Sequence, residues 1–547
     1  MIYDPNSRAQ RVNQVYTDLN RKFEEQETQR KAKEQKIAYL NLYGFPVEAQ
    51  TLQLLPKETA EAFHAIVFYR EGKNIKLGIV DSNPSVMQVL NQLTEQAYIV
   101  EPFLISLSSF KHIFEGYNKI FKTTQHFDNI KLESSNPKYQ IGGIGSISQH
   151  LTTASATEIV EELLGSALHI DASDIHVEPE KTMLKIRFRI DGVLQDVASL
   201  NMEAHHQFVS RVKIMSKMKL NITLTPQDGS FSLTYDNQQV DVRVSVLPSA
   251  FGESIVMRLL RQDKGSLQFD ELGIMGLARE RILKEMEKPN GMILTTGPTG
   301  SGKTTTLYAI LNKLNETGVK IITIEDPVEY KIAGITQTPI DARAGMTFAE
   351  ALRAILRQDP DIVMVGEMRD LETAEIACQA ALTGHVVLST LHTNDAPGAL
   401  PRLLDLGVKP FVLAPAINAI VAQRLVRKIC QECKEEYKLS VNLQSRVEMI
   451  LRAIPKSANV ELPKRLVFYH SKGCEKCHNL GYKGRIGVYE VFNISEEMEK
   501  LITKGATTSE IKNQAVAEGM LNMAQDGILK ALQGITDIEE IFRVTEE

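Results

Sequence analysis

A glycine-rich phosphate-loop pattern constrains this chain more than any other part of its sequence. The pattern consists of Gly297, Pro298, Thr299, Gly300, Ser301, Gly302, Lys303 and Thr304. The residues around it predict a strand at 292–296 and a helix at 304–315. A loop between a strand and a helix N-terminus presents successive backbone N–H groups to one anion. The pattern therefore predicts a nucleoside triphosphate site in an α/β domain, and the alternative is a fortuitous glycine-rich turn.

Each part of this loop has a predicted task. The three glycines allow the backbone to curl around the phosphates, and Lys303 brings a positive charge to the outer ones. The hydroxyl of Thr304 is the predicted ligand of Mg²⁺. Thr305 follows directly and completes the predicted nucleotide-binding set. ATP and Mg²⁺ are therefore the expected cofactors of this segment.

Length and charge limit the remaining possibilities. A chain of 547 residues exceeds what one core usually organises, so three or four domains are expected. The formal net charge of -6 gives no global attraction to nucleic acid, and a nucleic-acid partner is not expected. The apolar run at 411–422 is short and is broken by Pro415 and Asn418, which predicts no direct membrane span. Membrane association, if any, is then expected through a protein partner of a cytoplasmic chain.

Four of the five cysteines form two close pairs. They are Cys430 and Cys433, then Cys474 and Cys477, each pair in the Cys-x-x-Cys spacing. Two such pairs suit a structural Cys₄ zinc site in which each pair supplies two corners of a tetrahedron. Disulfides or unliganded thiols are the alternatives. Cys378 stands alone in an apolar stretch and is interpreted as a buried small hydrophobe.

Acidic residues follow two predicted strands beyond the phosphate loop. The strand at 319–324 is followed by Glu325, and the strand at 361–366 by Glu367. In a parallel sheet the carboxyl ends of strands lie on one edge, where ligands bind. A carboxylate at that edge can hold Mg²⁺ through water or orient an attacking water.

Histidines and arginines extend the candidate site. A third strand, predicted at 386–391, is bracketed by His385 and His392, which are interpreted as a γ-phosphate sensor or hydrogen-bond relay, with a structural role as the alternative. Three further strands are predicted ahead of the loop, at 183–190, 240–246 and 254–260, and they carry Arg189, Arg243 and Arg258. Alternate residues of a strand share a face, so Arg187 and Arg189 are expected to project together, which is favourable near an anion. The alternative is ordinary surface ion pairing.

The order of these segments resembles the type II and type IV secretion ATPases. Four segments are similar to their Walker A, Asp-box, Walker B and His-box motifs: GPTGSGKTTTLY at 297, IITIEDPVEY at 321, LRQDPDIVMVGEMRD at 356 and TGHVVLSTLHTNDA at 383. Further segments are similar to the domain that precedes the motor core and to the end of the core: SDIHVEPEKTMLKIRFRIDGVL at 173, PQDG at 226, VLPSAFGESIVMRLL at 246 and GRIGVYEVF at 484. The likeness covers about residues 150 to 547.

The resemblance implies a homohexameric ATPase motor with ATP between two modules. Arg243, Arg258 and Arg189 would reach the phosphates, Glu367 would be the catalytic carboxylate, and Glu325 would be a second acidic group at the water or Mg²⁺. The paired cysteines look like the zinc-bearing insertion of assembly and export members. The implied task is assembly of a type IV pilus or type II secretion pseudopilus through an inner-membrane platform protein, at which the chain would be peripheral. The alternatives are a DNA-uptake or conjugation motor and a non-hydrolysing nucleotide-binding ring scaffold.

The predicted fold class is α/β. It comprises a RecA-like P-loop ATPase core, a preceding α/β (PAS-like) domain, a zinc-binding insertion and a small N-terminal module. The predicted division is a partner-docking module at 1–120 with a leading helix, a linker at 121–150, the PAS-like domain at 151–262 and the ATPase domain at 263–547. The ATPase domain includes the zinc-binding insertion at 429–485 and the C-terminal helices. The highly charged second half of the leading helix is predicted to be solvated.

Overall fold

The computed structural model divides the chain into two compact units, Met1–Ile130 and Lys131–Glu547. Each unit has its own core. The residues that the structure describes are 21–42, 47, 49–52, 54–82, 86–95, 98–115, 117, 130–136, 139, 155–261, 268–341 and 345–546. The first half of the leading helix and the predicted linker lie largely or wholly outside them.

The first unit is a small α/β layer. Its strands are β1 (Ala38–Tyr39), β2 (Ala65–Glu71), β3 (Asn74–Ile79) and β4 (Ile99–Leu104). Its helices are α1 (21–35), α2 (Ala49–Leu52), α3 (Lys57–Phe63), α4 (Val86–Glu95) and α5 (107–115). The sheet order is β1-β4-β3-β2, with β2 antiparallel to β3 and the other pairs parallel. Ile66, Leu77 and Ile105 are fully buried between the sheet and the helices.

Helix α1 is exposed over most of residues 24–36, as expected of a solvated charged segment, but one of its faces is docked. Glu25 is only 8% exposed, and its Oε1 accepts hydrogen bonds from the hydroxyls of Ser106 at 2.6 Å and Ser109 at 2.9 Å. Its Oε2 accepts from Tyr39 at 2.6 Å, while Glu24 accepts from the backbone N–H of Ser108. The helix is docked because donors from distant segments satisfy its carboxylates.

The second unit begins with an antiparallel layer that corresponds to the predicted PAS-like domain. Its strands are β5 (Lys131–Leu132), β6 (Asp174–Pro179), β7 (Met183–Ile190), β8 (Val193–Asn201), β9 (Gln227–Tyr235), β10 (Gln238–Ser249) and β11 (Gly252–Arg261). Helices α6 (Ala156–His169) and α7 (His205–Met215) belong to the same layer. The sheet order is β5-β9-β10-β11-β6-β7-β8, in which only the short β5 pairs in parallel with its neighbour. Burial alternates along β7, so one face of this sheet is left for other contacts.

The remainder of the second unit is built on a mainly parallel sheet. Its strands and those of its insertion are β12 (Gly291–Thr296), β13 (Ile321–Glu325), β14 (Thr336–Pro339), β15 (Ile362–Val365), β16 (Val386–Leu391), β17 (Ile417–Ile429), β18 (Lys434–Tyr437), β19 (Phe468–Ser471) and β20 (Tyr482–Asn493). The helices are α8 (Gly276–Met286), α9 (Lys303–Leu314), α10 (Phe348–Leu356), α11 (Leu371–Leu382), α12 (Ala399–Asp405), α13 (Pro410–Ala416), α14 (Val441–Arg452), α15 (Glu496–Thr503), α16 (Thr508–Ala517), α17 (Met523–Leu532) and α18 (Ile538–Thr545).

This second sheet places the functional segments on one edge. Its order is β14-β13-β15-β16-β12-β17-β20, and every neighbouring pair is parallel except β17 with β20. Strands β12, β13, β15 and β16 are buried along their whole length, as parallel strands covered on both faces should be. The predicted α/β fold class is therefore confirmed, while the four-part domain division stays a prediction.

The segment between the cysteine pairs folds against the C-terminal helices. Strands β18 and β19 form a separate antiparallel pair, and α14 lies between them in sequence. Val447 and Leu451 of α14 pack with Ile528 of α17 and Ile541 of α18. In the described part of the chain, no helix is both long and apolar enough to cross a membrane.

Candidate functional site

The phosphate loop connects β12 to α9 and requires its glycines. Gly302 has φ +90°, and a Cβ added there would lie 2.8 Å from Nε2 of Gln423. A Cβ at Gly297, whose φ is +146°, would lie 2.6 Å from Oγ of Ser301. Gln423 of β17 also donates from Nε2 to the Ser301 carbonyl at 2.6 Å. The neighbouring strand thus holds the loop in the curled shape that only glycine permits.

The side chain of Lys303 folds back onto the phosphate loop. Its ammonium donates to the carbonyls of Gly297 at 2.7 Å and Pro298 at 3.2 Å, and the residue is 9% exposed. Burial lowers the pKa of Lys303 from its ordinary value, and the nearby charge of Glu367 opposes this shift. A phosphate in the loop would add negative charge beside this ammonium, which favours its charged form.

A cavity of about 910 Å³ lies in front of the loop. Its wall combines the loop with strand ends of the parallel sheet and with strands of the antiparallel layer. The predicted residues that line it are Thr299, Gly300, Ser301, Gly302, Lys303, Thr304, Thr305, Glu325, Glu367, His392, Arg189 and Arg258. Thr304 and Thr305 are exposed at the loop's helix end, where the Thr304 hydroxyl is accessible to a cation.

Glu367 stands just beyond β15 as an ionised group in this cavity. Its carboxylate pairs with the Arg369 guanidinium, and its Oε2 lies 3.2 Å from Nε2 of His392. Burial alone would raise the pKa of Glu367, but the hydrogen bonds and charges of Arg369 and His392 outweigh burial and lower it. The carboxylate is therefore negatively charged at neutral pH and can accept a hydrogen bond from water.

Glu325, at the end of β13, is held more tightly than Glu367. The residue is 3% exposed, and its carboxylate accepts hydrogen bonds from Tyr308, from Thr323 at 2.5 Å and from Gln337 at 3.1 Å. Burial, followed by the hydrogen bond to Glu325, raises the pKa of Tyr308 far above its usual value. Tyr308 is thus a fixed hydroxyl donor that orients Glu325 at the cavity wall.

The two predicted histidines do not act together. His392 lies at the carboxyl end of β16 beside Glu367, whereas His385 precedes the strand at its other end. The Nδ1 of His385 lies 3.1 Å from the Ala380 carbonyl, which ties the ring to the end of α11. Six strand residues separate the two side chains by about 20 Å. His385 therefore lies at the end of β16 away from the phosphate loop, and its interpretation as a phosphate sensor stays a prediction that no contact among the described residues supports.

The arginines of the antiparallel layer form one cross-strand row. Arg243 of β10 is paired with Arg258 of β11, Arg258 with Asp174 of β6, and Asp174 with Arg189 of β7. Directly opposite residues of antiparallel strands share a face. Three guanidinium groups and one carboxylate therefore lie side by side, and Arg258, Asp174 and Arg189 line the cavity opposite the phosphate loop.

Arg243 lies at the end of this row and outside the cavity lining. Its Nη2 donates to the Val328 carbonyl at 3.3 Å, and its Nη1 lies 3.6 Å from the Glu329 carboxylate. Both partners follow β13. Arg243 therefore joins the antiparallel layer to the segment after Glu325, and it does not reach the phosphate loop in this conformation.

The four paired cysteines converge on one point. The Sγ atoms of Cys430 and Cys474 lie 3.9 Å apart, those of Cys433 and Cys477 also 3.9 Å, and those of Cys474 and Cys477 3.8 Å. A tetrahedral zinc with Zn–S bonds of about 2.3 Å requires S···S distances of about 3.8 Å. The donor set and its spacing fit a closed Cys₄ centre, so the cluster could bind zinc.

Backbone N–H groups contact the sulfur of Cys477 in this cluster. The Cys477 sulfur accepts hydrogen bonds from the backbone N–H groups of Cys474 at 3.1 Å and Gly481 at 3.3 Å. Burial alone would raise the pKa of Cys477, but these donors outweigh it and lower the pKa to about 7. Gly473, with φ +92°, leaves no room for a Cβ because the Asn479 carbonyl would lie 2.7 Å from it.

Several residues of the cavity wall are not among the site residues predicted from the sequence. Asp174, Arg369 and Arg485 line the cavity, and Tyr308 fixes Glu325 from behind. Arg369 lies two positions after Glu367, and this spacing is a sequence signal that could have placed it in the same site. Asp174 had no such signal, because its partners are distant in sequence.

Comparison with known proteins places this architecture in a family. A family model described as type II/IV secretion system protein matches residues 149–543. The chain is 45% identical over 394 residues to the type II secretion system protein E of Pseudomonas aeruginosa, covering 72% of this chain and 76% of that protein. It is 38% identical over 518 residues to the type IV pilus assembly ATPase PilB of Myxococcus xanthus, covering 93% of this chain and 89% of that protein.

A solved structure shares the fold. The ATPase DotB of Legionella pneumophila superposes with a TM-score of 0.51 at 19% identity, covering 72% of this chain and 96% of that one. At this identity the likeness concerns the fold alone. The family match covers most of the chain and includes the phosphate loop, the cavity residues and the four cysteines. The chain therefore belongs to the type II/IV secretion system protein family and, like its relatives that are named ATPases, is an ATP hydrolase.

Proposed function

We propose that this chain is a cytoplasmic homohexameric motor that hydrolyses ATP to assemble a type IV pilus or a type II secretion pseudopilus. In this proposal it acts at the inner membrane through a platform protein. One observation favours pilus assembly over type II secretion within this family. The pilus assembly ATPases align over 93% of this chain, whereas the type II secretion proteins align over 72% at higher identity. The alignment with pilus proteins thus extends into the first unit, which favours pilus assembly.

The cavity supports ATP hydrolysis by the chain's own residues. The phosphate loop and Lys303 bind the phosphates, and Thr304 is positioned to hold Mg²⁺, which when bound neutralises phosphate charge. Glu367, kept ionised by Arg369 and His392, accepts a hydrogen bond from the attacking water. Glu325 is the second acidic group at this edge, held in place by Tyr308.

The arginine row supplies charge from the opposite wall. Phosphoryl transfer builds negative charge on the equatorial oxygens, and guanidinium groups stabilise it. Arg258 and Arg189 line the same cavity as the loop, and Arg243 joins the two layers beside Glu329. Closure of the antiparallel layer on the parallel sheet would bring the row to the phosphates, so hydrolysis and movement of the layers become linked.

The Cys₄ centre has a structural task in this proposal. Four thiolates complete the coordination of zinc and leave no position for water. Zinc held by Cys430, Cys433, Cys474 and Cys477 would fix the two ends of the insertion against β17 and β20, without a part in the reaction.

A genetic experiment tests the proposal. The gene is deleted in its own organism and replaced by the wild-type form or by Glu367→Gln. Surface pili, secreted proteins and DNA uptake are then measured. Loss of pili that only the wild-type gene restores supports pilus assembly, and loss of secretion alone assigns the pseudopilus instead. Normal pili and secretion with lost DNA uptake would contradict both, and full function of Glu367→Gln would indicate a scaffold rather than a motor.

A further inference from the structure

A buried carboxylate lies between two arginines of the row. Asp174 is 5% exposed, and its Oδ1 accepts a hydrogen bond from Nε of Arg258 at 3.0 Å. Its Oδ2 lies 3.5 Å from Nε of Arg189 and accepts from the Ser173 hydroxyl at 2.8 Å. One carboxylate thus neutralises part of the charge of both guanidinium groups.

The two arginines differ in what their terminal nitrogens do. Arg189 donates from Nη1 to the Gly192 carbonyl at 3.1 Å, and its Nη2 lies 3.5 Å from the His176 ring. Arg258 is bound only through Nε, and within the described residues its Nη1 and Nη2 have no hydrogen-bond partner. Its side chain is 59% exposed and lines the cavity. The two terminal nitrogens of a guanidinium group can bind a phosphate through two parallel hydrogen bonds. Of these two arginines, Arg258 is therefore the one whose terminal nitrogens are available for such binding.

Binding through Nε fixes the plane of a guanidinium group. An arginine side chain has several rotatable bonds, and ordering them during the reaction would cost entropy. Asp174 orders Arg258 beforehand, because its strand position and its burial give the carboxylate little freedom. Preorganised donors aimed at developing charge lower a barrier more than mobile ones do.

We propose that Asp174 is the positioning residue that holds Arg258 by its Nε edge and presents its free terminal nitrogens to the phosphates of ATP. The inference rests on the proposed function of Arg258. Asp174 itself does not touch the nucleotide. It acts through Arg258, and Ser173 supports it from the side of Arg189.

The first test is the isosteric change Asp174→Asn in the full-length protein. The turnover number for ATP should fall about 10- to 100-fold, while KM for ATP changes by less than about threefold, because the loss concerns orientation in the transition state. Asp196→Asn is the matched control, since this exposed aspartate of β8 pairs with Lys185 at 3.0 Å away from the row. It should leave turnover unchanged. Unchanged turnover in Asp174→Asn would overturn the proposal.

A double-mutant cycle separates positioning from general folding. In an Arg258→Ala background, adding Asp174→Asn should cause little further loss of turnover. Equal losses in both backgrounds would show that Asp174 acts on the fold as a whole, which refutes the inference and leaves the role of Arg258 intact. If Arg258→Ala itself retains normal turnover, the proposed role of Arg258 fails first, and the inference fails with it. Thermal melting of all four proteins identifies a variant that has lost its fold. If Asp174→Asn is such a variant, Ser173→Ala replaces it in the cycle. Ser173→Ala should also lower turnover, by a smaller factor.

Discussion

Substitution of Cys474 by serine should remove zinc and loosen a small, defined part of the structure. A structural zinc contributes about 10–16 kcal/mol to the folded form at neutral pH. If four thiolates share this equally, one thiolate accounts for about 2.5–4 kcal/mol, and its loss weakens zinc affinity about 10²- to 10³-fold. The three S···S distances of 3.8–3.9 Å match a tetrahedral centre, so little of this energy is lost to rearrangement.

The loosening should stop at the knuckles that carry the cysteines. Helix α14 lies inside the insertion, but Val447 and Leu451 are 0% and 4% exposed in a cluster with Ile528 and Ile541. Burial of each such side chain contributes about 1.5–3 kcal/mol, which holds α14 on the C-terminal helices without zinc. Amide exchange should therefore accelerate at 430–434 and 472–482 and stay slow in α14.

Two assays check this prediction. Elemental analysis should find about one zinc per intact chain and much less in Cys474→Ser, and hydrogen exchange should map the loosened segments. Cys378→Ala is the control, because this thiol is buried in α11 outside the cluster and its loss should not change metal content. Less than about half an equivalent of zinc in the intact protein, with no effect of Cys474→Ser, would refute the site. Equal loss of protection in α14 would refute the proposed boundary.

Three further outcomes are expected. Lys303→Ala should weaken ATP binding strongly, since the ammonium serves the bound phosphates, and a nucleotide titration that finds wild-type affinity would contradict this role. Glu367→Gln should bind ATP normally but turn over at least about 10²-fold more slowly, so near-normal turnover would remove Glu367 from the reaction. Glu540→Gln should destabilise the fold in a pH-dependent way: burial would raise the pKa of Glu540, but the hydrogen bonds of Arg543 and Arg427 outweigh it and lower the pKa to about 2. The pKa of a glutamate carboxyl in the unfolded chain is about 4.3, so the stabilisation by the Glu540 ion pairs is complete above that pH and is lost as pH falls toward 2. The gap in urea midpoint between wild type and variant should shrink over this window, and a constant gap would contradict the assignment.

The parts of the site that follow from local spacing could be predicted from the sequence. The phosphate loop, the strands before Glu325 and Glu367, and the two cysteine pairs depend on residues close together in the chain. The meeting of Glu325 and Glu367 with the phosphate loop could also be predicted, because the carboxyl ends of parallel strands lie on one edge of the sheet. Strand boundaries such as 183–190 and 386–391 agree with β7 and β16.

The arginine row could not be predicted because it depends on strand order. Asp174 meets Arg258, 84 positions away, only because β6 pairs with β11. Nothing in the local pattern of either strand determines this neighbour. The same reason explains Glu25, whose partners Ser106 and Ser109 lie 81 and 84 positions away. Its charge predicted a solvated helix, which holds for the exposed face of α1, whereas distant donors bury the face that carries Glu25.

We propose that ATP is hydrolysed between the phosphate loop and the arginine row. The most direct measurement compares ATP affinity and single-turnover hydrolysis in the wild type and in Arg258→Ala. We expect the hydrolysis rate of Arg258→Ala to fall by a factor of about 10² to 10⁴, with ATP affinity within a few-fold of the wild type, because the guanidinium acts on charge that develops during transfer. An equal loss in affinity and rate, or no loss in either, would contradict it and leave Arg258 as an ion-pair partner of Asp174.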